Sequence, residues 1–251
     1  MSKELIRELC ERFFVINKCG GCSEILAFEN RYDILCPQCA LEFRVSKTES
    51  CPHCHQSVCE CRCMPKSLER RGALCLRKLF FYRPESYRAP QNRMLLSLKR
   101  FPDAALAGFV AEELYGIIKR ELSVLDATGE NTVIVGVPRG RPSKRVYGYD
   151  QSELVGRELS RLSGIPYAAA IGRSRNGRLQ KKLNRKMRLE NVRSLFRMTD
   201  PEAVGGRYVI LLDDVVTTGA SMTACLELLK KNGAVGIFCL SMAKTVENSV
   251  K

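Results

Sequence analysis

Two adjacent carboxylates, followed by hydroxyl side chains and a glycine, mark the most distinctive stretch of the sequence. Four apolar residues, 209–212, lead into Asp213 and Asp214. Backbone N–H groups at the start of a helix bind phosphate, and hydroxyls assist them. We therefore predict a ribose 5-phosphate site in which the two carboxylates bind ribose hydroxyls or Mg²⁺. The residues predicted to bind the 5-phosphate are Thr217, Thr218, Gly219, Ala220 and Ser221.

Eleven of the thirteen cysteines lie before residue 76, at spacings that are typical of structural zinc sites. Thiolates that two tight turns bring together suit tetrahedral Zn²⁺. The first predicted set comprises Cys19, Cys22, Cys36 and Cys39, with thirteen residues between its two Cys-x2-Cys pairs. The second set begins with Cys51 and Cys54, and its remaining ligands stay open among Cys59, Cys61, Cys63, His53 and His55.

Positive charge is concentrated in one part of the chain, whose net charge is +14. Residues 1–65 contain eight Lys or Arg against nine Asp or Glu, whereas residues 137–197 contain sixteen against four. Such a patch attracts phosphates, and nucleic acid is the commonest polyphosphate. The residues predicted to contact the phosphates of a DNA backbone include Arg139, Arg141, Lys144, Arg145, Lys181, Lys182, Arg185 and Lys186.

The elements that must position these residues alternate between apolar strands and amphipathic helices. The predicted strands cover 132–137, 208–212 and 235–242, and the predicted helices cover 103–122, 151–163 and 220–231. Asp150 is predicted to cap the second helix, and Gly164 to end it. Residues 76–102 are interpreted as a connector. The alternation predicts an α/β domain over residues 76–251, with a parallel sheet flanked by helices, after a small zinc-ribbon module over residues 1–75.

The composition also bears on the location of the protein. The sequence contains no apolar run of the roughly 20 residues that a membrane helix needs. Three glutamates among the first fourteen residues argue against a secretory signal. We expect a cytoplasmic protein without membrane insertion, in which the cysteines bind metal and do not form disulfides.

Taken together, the motifs resemble those of the ComF family of competence proteins, in which zinc knuckles precede a type I phosphoribosyltransferase-like domain. The resemblance rests on the aspartate–threonine–glycine loop, the cysteine pairs and three further blocks. These blocks are Leu98-Lys99 with Asp103, Gly148-Tyr149-Asp150-Gln151, and the set Gln180, Leu183, Arg188, Asn191, Val192 and Phe196. The resemblance implies binding of Mg²⁺ with phosphoribosyl pyrophosphate (PRPP). It also implies pyrophosphate as an alternative to DNA for the basic residues above, and it adds Lys99 to these predicted pyrophosphate or DNA contacts.

The family resemblance leads to three alternative functions. The first is cytosolic handling of single-stranded DNA during natural transformation, with DNA-uptake and recombination proteins as partners and a retained PRPP pocket. The second is an active phosphoribosyltransferase with an unknown acceptor, and the third is a PRPP-regulated docking module. Thr217 stands where purine transferases of the superfamily carry an aspartate, so no catalytic residue is assigned.

Overall fold

A computed structural model describes residues 17–30, 33–140, 148–174 and 194–246. Its strands are β1 (Cys75–Tyr82), β2 (Thr132–Gly136), β3 (Tyr167–Ala168), β4 (Ile171–Arg173), β5 (Phe196–Met198), β6 (Tyr208–Val216) and β7 (Gly236–Thr245). Its α-helices are α1 (Pro37–Lys47), α2 (Lys66–Arg70), α3 (Pro90–Arg100), α4 (Ala104–Val124), α5 (Gln151–Ser163) and α6 (Ala220–Lys231). Short 3-10 helices cover Phe28–Asn30 and Pro84–Ser86.

Five strands form one parallel sheet in the order β1-β7-β6-β2-β3, with helices on both faces, and this confirms the predicted fold class. β4 and β5 form a separate antiparallel pair. On one face, the buried side chains of α4 and α5 pack against apolar residues of β2, β6 and β7. On the other face, α6 packs Cys225, Leu226 and Leu229 against the same strands.

The cysteine-rich front of the chain shares a core with the sheet. Cys19, Cys39 and Phe43 belong to the same buried cluster as Leu79 of β1 and Leu106 of α4. The division at residue 75 therefore stays a prediction, because apolar packing is continuous between residues on its two sides. Within the described part of the chain, none of the helices has both the length and the apolar composition needed to span a bilayer.

The interpretation of residues 76–102 as a connector is wrong, since they contain β1 and α3. The basic residues of β1 interrupt the apolar pattern that would have predicted a strand, yet they have partners inside the protein. The Arg77 guanidinium donates to Ile117 O at 2.9 Å and lies 3.3 Å from the Glu121 carboxylate. Lys78 is fully buried and donates to backbone carbonyls of the cysteine region.

The predicted helix boundaries agree closely with the structure because their caps are local. The Asp103 carboxylate accepts a hydrogen bond from Leu106 N at 3.0 Å at the start of α4. Asp150 accepts one from Ser152 N at 3.1 Å at the start of α5. α5 ends at Gly164, whose φ of 73° lies in the left-handed region. β6 continues four residues beyond the predicted strand end, through both aspartates to Val216.

Candidate functional site

A polar cavity of about 190 Å³ opens at the carboxyl ends of β2 and β6. In open α/β sheets, ligands bind at this edge. Its lining combines carboxylates from Asp150, Asp213 and Asp214 with the basic residues Arg139 and Arg173. The cavity therefore offers groups of both charge signs to one small ligand.

The two aspartates of β6 form the acidic side of this cavity. The Asp213 carboxylate accepts a hydrogen bond from Asp214 N at 2.9 Å. Burial, followed by the neighbouring charge of Asp214, raises the pKa of Asp213 well above its usual range. Lys99 Nζ lies 3.4 Å from the Asp214 carboxylate, so α3 supplies a cation to the pair. A divalent cation or ribose hydroxyls would relieve the repulsion that the pair maintains.

The predicted phosphate loop connects β6 to α6. Thr217 and Thr218 are exposed, and Gly219 adopts a φ of 74° as the residue before the helix. This left-handed conformation favours glycine because other residues carry a Cβ. Ser221 lies in the first turn of α6 and lines the cavity. The loop and the two aspartates thus lie at the same edge of the sheet.

The start of α5 forms the opposite wall of the cavity. Asp150 caps this helix and also accepts a hydrogen bond from Arg139 N at 2.8 Å, which fixes the chain after β2. The adjacent Gln151 is 1% exposed and lines the cavity, and its amide oxygen has no hydrogen-bond partner among the described residues. A buried amide oxygen without a partner is costly, so this atom is available to a ligand or cation.

Two arginine side chains at the cavity are held by backbone carbonyls. Arg139 donates to Lys99 O at 3.2 Å, and Arg173 Nε donates to Pro138 O at 3.2 Å. The Arg173 guanidinium also lies 5.0 Å from the centroid of the Phe196 ring. Burial lowers the pKa of Arg173, and the nearby acids, including Asp150 and Asp213, oppose that shift. Both arginines thus present positive charge in fixed orientations.

Several predicted contacts lie outside the described residues. They are Arg141, Lys144, Arg145, Lys181, Lys182, Arg185 and Lys186, together with the motif residues Gln180, Leu183, Arg188, Asn191 and Val192. Of the predicted basic contacts, Lys99 and Arg139 are described, and both lie beside the acidic pair.

The first set of cysteines comes together as predicted. The thiol sulfurs of Cys19, Cys22, Cys36 and Cys39 all lie within 4.8 Å of one another, so the set could hold a metal ion. Burial alone would raise the pKa of Cys19, but backbone N–H groups of Cys36, Cys22 and Gly21 lower it to about 7. These donors favour the thiolate, which is the form that binds Zn²⁺.

The second set consists of Cys51, Cys54, Cys61 and Cys63, whose sulfurs also lie within 4.8 Å of one another. Cys59 is not a member, and neither histidine candidate belongs to the set. The Cys59 thiol instead donates to Leu79 O at 3.5 Å. The buried Lys78 ammonium lies 3.0 Å from the sulfur of Cys61.

The sequence profile of the phosphoribosyl transferase domain matches residues 110–248. The chain belongs to this family. The match includes the aspartate pair, the phosphate loop and the start of α5. It therefore covers all the residues that line the cavity, from Val137 to Ser221.

Similarity to two curated proteins confirms the ComF resemblance. The chain is 27% identical to the DNA utilization protein YhgH of Escherichia coli (strain K12), over 92% of this chain and 94% of that protein. It is 32% identical to Competence protein F of Haemophilus influenzae, over 39% of this chain and 43% of that protein. Among solved structures, the B. subtilis glutamine PRPP amidotransferase complexed with ADP and GMP shares 21% identity and a TM-score of 0.36, over 70% of this chain and 30% of that one.

Sequence reasoning missed part of this candidate site. Arg173 is not among the predicted site residues, and Asp150 is predicted only as a helix cap and a motif residue. The motif Gly148-Tyr149-Asp150-Gln151 could have indicated this wall of the site, since it places the helix cap Asp150 next to Gln151, whose amide is buried. The Tyr149 hydroxyl of this motif donates to Leu98 O. Pro65 and Ser67, which contact the phosphate loop, carried no sequence signal.

Proposed function

We propose that this protein handles single-stranded DNA in the cytosol during DNA uptake and retains a pocket for PRPP or a related ribose phosphate. The observation that carries the proposal is the cavity that combines paired carboxylates, fixed arginines and Ser221 from the first turn of α6. Similarity to a DNA utilization protein over nearly the whole chain supports the DNA role. The expected protein partners are DNA-uptake and recombination proteins.

The cavity residues suit the parts of a ribose phosphate. The N–H groups and hydroxyls of the loop would bind the 5-phosphate. Asp213 and Asp214 would bind ribose hydroxyls or Mg²⁺, and the unpartnered oxygen of Gln151 adds a further ligand atom that a hard cation prefers. Bound Mg²⁺ would neutralise pyrophosphate charge, while Arg139 and Arg173 hold the phosphate oxygens in place.

Each of the two cysteine sets supplies four sulfur ligands, which is the donor set of a closed structural zinc site. We therefore infer two structural Zn²⁺ ions per chain. Neither set leaves a coordination position open for a substrate. The zinc ions would therefore stabilise the fold and take no part in chemistry at the cavity.

The DNA role is tested by the salt dependence of binding. Each phosphate contact on a single strand contributes about 0.7 to the slope of log K against log salt concentration. Neutralising Lys181, Lys182, Arg185 and Lys186 to glutamine should reduce the slope for a single-stranded oligonucleotide by roughly one to three. Sequence preference should stay the same, since phosphate contacts carry no base information.

A matched control removes four exposed charges at the other end of the sheet. Lys119, Arg120, Lys230 and Lys231 lie toward the C-terminal ends of α4 and α6, whereas α6 begins at the cavity. Their quadruple glutamine variant has the same net charge as the test variant and should keep the wild-type slope. Equal slopes in both variants would contradict a localised DNA path.

Pyrophosphate release from PRPP, measured over a set of nucleobases, separates this proposal from the transferase alternative. We expect no turnover, together with Mg-PRPP binding that Asp213→Asn combined with Asp214→Asn weakens. Turnover by the wild type with no DNA binding would instead favour the transferase. Absence of PRPP binding in the wild type would refute the ribose phosphate assignment.

A further inference from the structure

Residues 63–67, here called the strap, run from the second cysteine set directly onto the phosphate loop. Cys63 belongs to the set, and Pro65 lies two residues further along the chain. A Cβ atom added at Gly219 would lie 3.0 Å from Pro65 Cγ and 3.2 Å from Pro65 Cβ. Pro65 therefore covers the glycine that gives the loop its left-handed turn.

The end of the strap also contacts the loop and the helix that follows it. The Ser67 hydroxyl lies 3.5 Å from Thr218 O, which it can reach as a weak donor. The Ser67 oxygen lies 3.1 Å from the Thr223 hydroxyl, one turn into α6. The Ser67 side chain thus contacts both the phosphate loop and α6, whose N-terminus would face the phosphate.

The beginning of the strap is held at the second cysteine set by a buried lysine. Lys78 Nζ donates to Cys61 O at 3.0 Å and to Cys63 O at 3.1 Å. The Lys78 side chain is 0% exposed. The backbone from Cys61 to Cys63 is thus held by Lys78 and, through its two cysteines, by the second set.

The first cysteine set contacts a different part of the protein. A Cβ atom at Gly20 would lie 3.0 Å from the Leu106 side chain, and one at Gly21 would lie 3.0 Å from Pro90 Cβ. Arg93 donates to Cys22 O, which joins this set to α3. Among the described contacts, the strap connects the phosphate loop to the second set and not to the first. Cysteine variants of the two sets can therefore be compared in one experiment.

We propose that a metal ion in the second cysteine set positions the phosphate loop through the strap, with Pro65 and Ser67 as the positioning residues. The inference rests on the proposed zinc and ribose phosphate sites. Metal binding draws Cys61 and Cys63 together with Cys51 and Cys54, and this sets the path of the chain onto Gly219. Without the metal, the strap loses its fixed start and the loop samples other conformations.

Amide hydrogen exchange of the full-length protein tests this coupling without any ligand. Cys61→Ala should remove one metal ion per chain, counted by native mass spectrometry. It should also speed exchange in peptides covering residues 217–226 by about tenfold, because the hydrogen-bonded amides at the start of α6, such as Thr223 N bonded to Gly219 O, open more easily. Cys22→Ala, the matched variant in the first set, should remove one metal ion and leave exchange in these peptides unchanged.

A second variant keeps the test decisive if Cys61→Ala does not fold. Ser67→Ala leaves every cysteine in place and should speed exchange in the same peptides, residues 217–226, while both metal ions stay bound. Unchanged exchange in Ser67→Ala and Cys61→Ala, or an equal effect of Cys22→Ala, would overturn the inference. A wild-type protein that binds no metal would overturn it as well.

Calorimetry with ribose 5-phosphate distinguishes failure of this inference from failure of the proposed function. If the wild type binds ribose 5-phosphate and Cys61→Ala binds it equally well, the coupling is wrong although the ligand assignment holds. If the wild type does not bind it but exchange responds as expected, the loop is positioned by the metal and the ligand assignment fails.

Discussion

Substitution of Gly219 by alanine measures how tightly the strap covers the phosphate loop. Gly219 has a φ of 74°, and this conformation costs a residue with a Cβ about 1–2 kcal/mol. The new methyl group would also meet Pro65 at 3.0 and 3.2 Å, so the proline must move by a few tenths of an ångström. Overpacking of this kind costs about 1–3 kcal/mol. The expected total loss of unfolding free energy is therefore about 2–5 kcal/mol.

Gly206→Ala is the matched control because Gly206 also has a φ of 74° but no atom within 4 Å of the added Cβ. It should cost only the conformational part, about 1–2 kcal/mol. Urea denaturation followed by far-UV circular dichroism measures both, and the chain has no tryptophan for a fluorescence assay. Equal losses in the two variants would refute the reasoning, because Pro65 would then yield without cost.

Two further predictions concern the metal ions and the acidic pair. Elemental analysis should find two zinc ions per chain, with one lost in Cys61→Ser and none lost in Cys59→Ser, and equal loss in both variants would contradict the ligand assignment. For Asp213, burial and then the Asp214 charge raise the folded-state pKa, so the folded protein holds this proton more tightly than the unfolded chain. Its contribution to the unfolding free energy therefore falls as pH rises from about 4 towards the raised pKa. Between about pH 5 and about pH 8, the unfolding free energy measured by denaturation should fall less in Asp213→Asn than in the wild type. Identical decreases in the two proteins would contradict the raised pKa.

The sequence by itself determined the features that depend on neighbouring residues. Strand and helix alternation predicted the parallel α/β fold, because apolar periodicity reports which faces are buried. The cap at Asp150 was predicted because a capping side chain binds backbone only two or three residues away, and Asp103 caps α4 in the same way. The first cysteine set followed from two Cys-x2-Cys turns, each of which brings its own pair of sulfurs together.

Only the tertiary structure decided the features that depend on distant partners. The sequence of β1 looked like a connector because it contains the basic residues Arg77 and Lys78. Only the structure shows that these cations have partners at Glu121 and in the second cysteine region. The choice of Cys61 and Cys63 over Cys59 follows from the backbone path past β1, where Leu79 O accepts the Cys59 thiol. The contact of Pro65 with Gly219 joins residues far apart in the sequence. Such contacts leave no periodicity or local spacing in the sequence, since the packing of whole elements against one another creates them.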